Sequence, residues 1–379
     1  MKKTVYLDNA ATSFPKPERV CYEMYKCTRE YCGNPGRGTN ALSLKASETI
    51  YEARASLKNY FNAQSEENVI FTLNATYALN MAIKCFLPER SHVLISDIEH
   101  NAVYRPVVSE ALMGKISFDF FSTFDGDKDK ILSDIYAKTK RNTSAIICTA
   151  ASNICNLTLP IEEIGKYAKE RNILFIIDAS QYAGHKKIDM QKMNVSILCA
   201  PAHKGLYGPQ GCGFMIISEG VKPKRTIIEG GSGVNSQDIR MPGTLPEMFE
   251  AGTLNTQNAR GLSEAIDYLE NAGIENIEKY EAFLSQRLRE ALFSRDTLQI
   301  HGDYCEGGVY SVTCSTHSTE KFAALLDETG IMVRSGLHCA PLAHKKLGTL
   351  KSGTVRFSLG IFNTISDIEY LDHVLNVIL

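Results

Sequence analysis

The chain has 379 residues, 44% hydrophobic and 22% charged, with 41 Lys and Arg against 43 Asp and Glu. That is ordinary globular composition, long enough for two lobes, and a formal charge of −2 gives no electrostatic reason to expect nucleic acid or an anionic membrane as a partner. The eleven cysteines are odd in number, scattered and without a C-x-x-C pair, so reduced thiols in a cytoplasm are expected, not a disulfide framework or a zinc site. The start, Met1-Lys2-Lys3-Thr4-Val5-Tyr6-Leu7, lacks the apolar core of a signal peptide, and no stretch approaches the roughly eighteen apolar residues of a membrane span.

From 69 to 218 short β-rich runs alternate with helical stretches. Strands are predicted at 69–72, 93–96, 116–121, 145–149, 173–177, 195–200 and 213–217, with helices at 76–87 and from 101. Runs that are apolar at every position, separated by helices, predict a mostly parallel sheet covered on both faces. After residue 220 a polar loop opens at Gly230-Gly231-Ser232-Gly233 and continues to Glu250-Ala251-Gly252-Thr253. Helices at 257–272, 274–294, 319–329 and 366–378 and strands at 298–301, 309–314 and 354–359 then read as a smaller α/β lobe. The expected division is a large lobe over 14–254 and a small lobe over 255–379, joined by the N-terminal segment 1–13.

Thr76, His100, Asn153, Asp178 and Lys204 all fall just after a predicted strand, where ligands of such sheets bind. Lys204 and Asp178 are the most informative pair. A charged lysine and a charged aspartate at the exits of continuously apolar strands are costly unless they meet an ionic group. Pyridoxal phosphate suits both: its aldehyde condenses with an amine, and its ring nitrogen stays protonated beside a carboxylate. The blander alternatives are a solvated loop lysine, an N-cap aspartate and a capping or core His100. Asn74-Ala75-Thr76 opens a helix, so Ala75 and Thr76 offer backbone N–H groups, and Thr76 a hydroxyl, to a phosphate. Cys339 lies in a glycine-containing loop beside His338, outside any apolar strand, and Arg334 and His338 are candidates to lower its pKa.

Taken together the chain resembles the pyridoxal-phosphate enzymes of the class V aminotransferase group, and among them the group II, selenocysteine-lyase-like cysteine desulfurases. The resemblance runs from Tyr6-Leu7-Asp8-Asn9-Ala10-Ala11-Thr12 to the C-terminal helix. It is carried by Ala202-His203-Lys204 with Tyr207-Gly208-Pro209-Gln210-Gly211, by Phe249-Glu250-Ala251-Gly252-Thr253, and by Arg334-Ser335-Gly336-Leu337-His338-Cys339-Ala340. It implies the fold type I architecture, a large domain with a mostly parallel seven-stranded sheet and a smaller C-terminal α/β domain. By the same resemblance Lys204 binds the cofactor covalently and removes the Cα proton, Asp178 faces the ring nitrogen, Gln181 the ring hydroxyl oxygen, and His100 stacks on the ring face and exchanges protons with substrate carbons. His203 and Thr253 reach the phosphate, Thr253 from a neighbouring subunit, which implies a homodimer. Arg356 and Asn153 hold the substrate carboxylate, Asn153 also bonds a cofactor oxygen, and Cys339 takes sulfur from L-cysteine as a persulfide, leaving L-alanine. The sulfur then passes to an acceptor protein, for iron–sulfur cluster assembly or another route.

The alternatives are a selenocysteine lyase acting on L-selenocysteine, or another class V aminotransferase or lyase without persulfide chemistry. Three departures from the family pattern stand out: Pro201 and Ala75 replace hydroxyl residues near the phosphate, and Leu337 replaces the first histidine of a pair. The loop 230–250 looks shorter than the hairpin that reaches the partner's site in longer members.

Overall fold

The computed structural model describes residues 3–379 except 37, 235, 303, 305 and 306. The chain begins with a short strand, β1 (Val5–Tyr6), and two helices, α1 (Glu18–Glu30) and α2 (Ala41–Tyr60). Sequence periodicity assigns neither helix, because Tyr22, Tyr25, Leu44 and Tyr51 are exposed and blur the apolar stripe. A start signal was nonetheless present: the Asn40 side chain caps α2 by accepting from the Ser43 N–H at 3.0 Å.

Seven strands follow: β2 (Val69–Thr72), β3 (Ser91–Ser96), β4 (Ile116–Phe121), β5 (Thr143–Thr149), β6 (Leu174–Asp178), β7 (Ile197–Pro201) and β8 (Gly213–Ile217). Between them lie α3 (Ala75–Phe86), α4 (Asn101–Leu112), α5 (Lys128–Lys138) and α6 (Ile161–Glu170). They form the expected mostly parallel sheet, in the order β2-β8-β7-β6-β5-β3-β4; only β8 runs antiparallel to its neighbours. Alternation along each strand explains the unbroken apolar runs. Ile146, Cys148, Ile177 and Leu198 enter one core, whereas Ala145, Ile147, Ile176 and Ile197 enter the other. The first core is closed by Leu57 of α2, Ile131 of α5 and Ile164 of α6, the second by Leu79 of α3 and Val103 of α4.

The remainder comprises α7 (Thr256–Ala272), α8 (Ile274–Phe293), β9 (Leu298–His301), β10 (Val309–Cys314), α9 (Thr319–Glu328), β11 (Ile331–Met332), β12 (Arg334–Gly336), α10 (Pro341–Lys346), β13 (Thr354–Ser358) and α11 (Ile365–Ile378). An antiparallel sheet, β12-β13-β10-β9, anchors the smaller lobe. Its β11, β12 and α10 are too short for periodicity to reveal. Helix α7 packs on α1 and α2, and its Leu262, Ile266 and Leu269 join the first core, so the helix that opens the expected small lobe rests on the large one. In the other direction, β1 pairs in parallel with β11, and Val5 and Leu7 are buried among Phe322 and Phe357 of the small lobe.

Some boundaries move. Asp178 and Pro201 are the last residues of their strands, β7 starts at Ile197, and α3 starts at Ala75. The loop 230–250 has no strand among its described residues; residue 235 lies outside them. Among the described residues no helix is long and apolar enough to cross a membrane.

Gly184, at φ +87°, lies against the Gly205 carbonyl, where a Cβ would collide. Gly184→Ala is expected to lower unfolding free energy by about 1–3 kcal/mol in denaturant melts. It is also expected to slow aldehyde capture at the neighbouring Lys204.

Candidate active site

Strand register lines up the residues singled out from sequence. Gly213 lies opposite both Thr72 of β2 and Pro201 of β7, Cys199 opposite Asp178, and Asp178 opposite Thr149 of β5. Ala75 and Thr76, His203 and Lys204, Gln181, and Asn153 therefore leave the sheet at one end, and His100 follows β3 at that same end. Parallel strands bring these residues together although they are far apart in sequence.

Lys204 sits where the charges of Asp178, Arg356, Arg334 and Cys339 are all felt. Burial lowers its amine to about 8, outweighing the raising effect of Asp178. Asp178 is buried, and its Oδ1 accepts from the Ser180 N–H at 2.9 Å. His100 is the N-cap of α4: its Nδ1 accepts from the Ala102 N–H at 3.0 Å, so the ring proton is on Nε2. Burial lowers His100 to about 4, helped by the charges of Lys204 and Arg356, so the imidazole is neutral at physiological pH. Beside it, Glu99 is fully buried and raised to about 8 by desolvation. Its Oε1 accepts from the Thr149 N–H at 2.9 Å, and the charge of Asp178 adds to the rise.

The N-terminal segment fastens the turn that carries Lys204. Ser13 Oγ donates to the Lys204 carbonyl at 2.8 Å, and Ser13 N–H and Lys16 Nζ donate to the His203 carbonyl at 3.0 and 2.8 Å. His203 itself is lowered to about 4 by burial and by Lys204, and its Nδ1 is buried without a partner. Gln181 donates from Nε2 to the Ala10 carbonyl at 2.9 Å, toward this same segment.

On the other side, Arg356 of β13 is 2% exposed. Its guanidinium meets Asp8 Oδ1 at 2.8 Å and the Asn153 carbonyl at 3.1 Å, leaving Nε buried and unpaired. The Asn153 amide donates to the His338 carbonyl at 2.9 Å, and the Asn101 N–H of α4 donates to the Cys339 carbonyl at 2.8 Å. Cys339 is exposed. His338 and Cys339 both adopt left-handed backbone, with φ of 48° and 56°. Such non-glycine residues cost about 1–3 kcal/mol each and persist only where neighbours hold them. One expectation is corrected here. His338 is buried, its ring N–H donates to the Arg334 carbonyl at 3.2 Å, and burial lowers it to about 3. It is therefore neutral and supplies no positive charge to the thiol.

Thr76 and Thr253 are exposed. Thr253 lines a hollow with Thr72, Leu73 and Tyr77, within its own chain. Asn74 caps α3 through the Tyr77 N–H at 3.1 Å, leaving the first N–H groups of the helix free to meet an anion. Pyridoxal phosphate fits this donor set. A lysine amine at about 8, a buried carboxylate, a neutral imidazole, an unpartnered His203 nitrogen and an open helix N-terminus answer its aldehyde, ring nitrogen, ring face and phosphate.

Sequence reasoning missed the roles of Asp8, Ser13, Lys16 and Glu99. Asp8 and Glu99 each carried a signal, a carboxylate next to buried apolar residues. Ser13 and Lys16 act on backbone carbonyls, which leaves no trace in residue type.

The family model described as aminotransferase class-V matches residues 5–371. A probable cysteine desulfurase of Methanothermobacter thermautotrophicus is 32% identical, covering 100% of this chain and 95% of that protein. A cysteine desulfurase of Serratia proteamaculans is 29% identical, covering 97% and 91%. Among solved structures, the apo structure of cysteine desulfurase from Thermococcus onnurineus NA1 superposes with a TM-score of 0.91 at 30% identity, covering 99% of this chain and 94% of that one.

The apoprotein's Lys204 should capture an aldehyde faster as pH rises, because only the neutral amine has a lone pair. The rate is expected to climb about tenfold per unit well below pH 8 and to level off above it. Rapid-mixing absorbance across pH checks this, with Lys204→Arg as the blank.

Proposed function

The chain belongs to the class-V aminotransferase family, and on that premise we propose that it is a pyridoxal-phosphate-dependent cysteine desulfurase. The observation that carries the reading is the placement of Cys339. It is an exposed thiol on a strained turn, and its carbonyl is tied to the first residue of α4, next to His100.

Bound pyridoxal phosphate supplies an aldehyde that takes up the amino group of the substrate and a ring that withdraws electrons from its Cα. Lys204, Asp178, His100, Gln181, His203, Thr76 and the backbone at Ala75 would hold it. Lys204, neutral in a good fraction of molecules near pH 8, takes a proton from Cα. His100 stays uncharged and offers Nε2–H without competing for that proton. Arg356, with Nε unpaired, and Asn153 orient the substrate carboxylate. The Cys339 thiolate attacks the substrate sulfur: an S–S bond forms, the Cβ–S bond breaks, and its electron pair stays on carbon. Protonation of that carbon and return of a proton from Lys204 to Cα complete alanine, and the former thiol is a persulfide, so cysteine and thiol balance alanine and persulfide. The exposure of Cys339 lets an acceptor protein collect the sulfur.

A homodimer belongs to the same reading. Leu73, Tyr77 and Ile228, at the hollow that holds Thr253, are exposed large apolar residues, and a second copy covering them would close the phosphate end.

Incubation with L-cysteine should yield alanine and a labelled persulfide on Cys339. Cys339→Ala should abolish the persulfide; release of sulfide from L-cysteine at the parent rate would remove the persulfide step. The same variant keeping selenocysteine turnover alone would favour the selenocysteine lyase. Arg356→Lys should raise KM for cysteine about 10- to 100-fold, the equivalent of losing one charged hydrogen bond.

A further inference from the structure

Helix α10 starts two residues beyond Cys339 and ends at Lys346. Its Ala340 and Ala343 flank are fully buried in the large-lobe core. Lys346 Nζ reaches Asp97 Oδ2 at 3.3 Å and also donates to Thr123 Oγ1. Asp97 is itself fixed, accepting from the Thr123 hydroxyl and N–H at 2.8 and 3.2 Å. The Lys346 and Asp97 side chains are only 16% and 26% exposed, so solvent screens the pair less than a surface one.

Asp97 and Asn101 bracket His100. One holds Lys346 and the other holds the Cys339 carbonyl. Two struts thus join the turn that carries His100 to the segment that carries the thiol, one at each end. From this geometry we infer that Lys346 is a positioning residue for sulfur transfer: its clamp on Asp97 and Thr123 holds the strained His338–Cys339 turn at its working distance from the His100 face. The inference rests on the desulfurase reading. It assigns Lys346 to the transfer of sulfur and not to chemistry at Cα, where Lys204 and Asp178 act.

The test compares Lys346→Met, Lys346→Arg and Asp97→Asn with the parent holoenzyme, after melting curves establish that each folds. Three quantities are read. They are alanine and persulfide formed from L-cysteine, exchange of the Cα proton of L-alanine into deuterated water, and alkylation of Cys339 by iodoacetamide in the apoprotein. Misplacing a reacting atom by about an ångström costs up to about 100-fold in rate. Lys346→Met and Asp97→Asn should therefore slow kcat for alanine formation by about tenfold or more. KM and Cα exchange should stay within about twofold, Cys339 alkylation should change several-fold, and Lys346→Arg should restore most of the rate. An unchanged kcat, or a loss of Cα exchange in proportion to kcat, overturns the inference. Were the parent enzyme to form no persulfide, the desulfurase reading would fail, while the alkylation rates would still decide whether Lys346 holds the turn.

Discussion

The placement of the Lys204 amine and the Asp178 carboxylate at the end of one apolar sheet is the constraint on which the rest depends. Desolvation brings the amine to about 8, near the pH at which an amine both binds an aldehyde and exchanges protons. The same burial keeps His100 and His203 neutral and raises Glu99 to about 8. A more open site would leave the lysine protonated and the histidines titrating near neutrality. The sheet, covered on both faces, thus sets the protonation of these groups as well as contributing to stability.

Much of this was legible from residue order. Fully apolar strands with a charged or amide residue at the exit predicted the sheet and the end at which those residues gather, and the motifs at Lys204, Thr253 and Cys339 predicted the family. What escaped did so for physical reasons. Helices α1 and α2 display tyrosines and leucines outward, so periodicity could not see them. Strands β11 and β12 are set by pairing with distant segments. His338 was a candidate to lower the pKa of Cys339, yet burial, which a sequence does not print, keeps it uncharged. His100 had been weighed as cap or site residue, and its two nitrogens allow it to be both.

The Cys339 turn shows how a mobile-looking loop is made definite. Two consecutive left-handed residues are unfavourable by themselves. Asn153 and Asn101 hold their carbonyls, and Lys346 fixes the helix that follows. The thiol is presented to solvent while its backbone is held by the large lobe. That combination suits a group that must meet a buried substrate and an outside acceptor in turn.

The earliest strand bears on how the molecule is made. Val5 pairs with Ile331, and Ser13 grips the carbonyl of Lys204. Val5 is synthesised long before Ile331, so this pairing waits for the small lobe. Such distant pairing is slow to form. Strand β1 therefore gains its partner only once the small lobe has formed, whereas Ser13 meets its carbonyl within the large lobe.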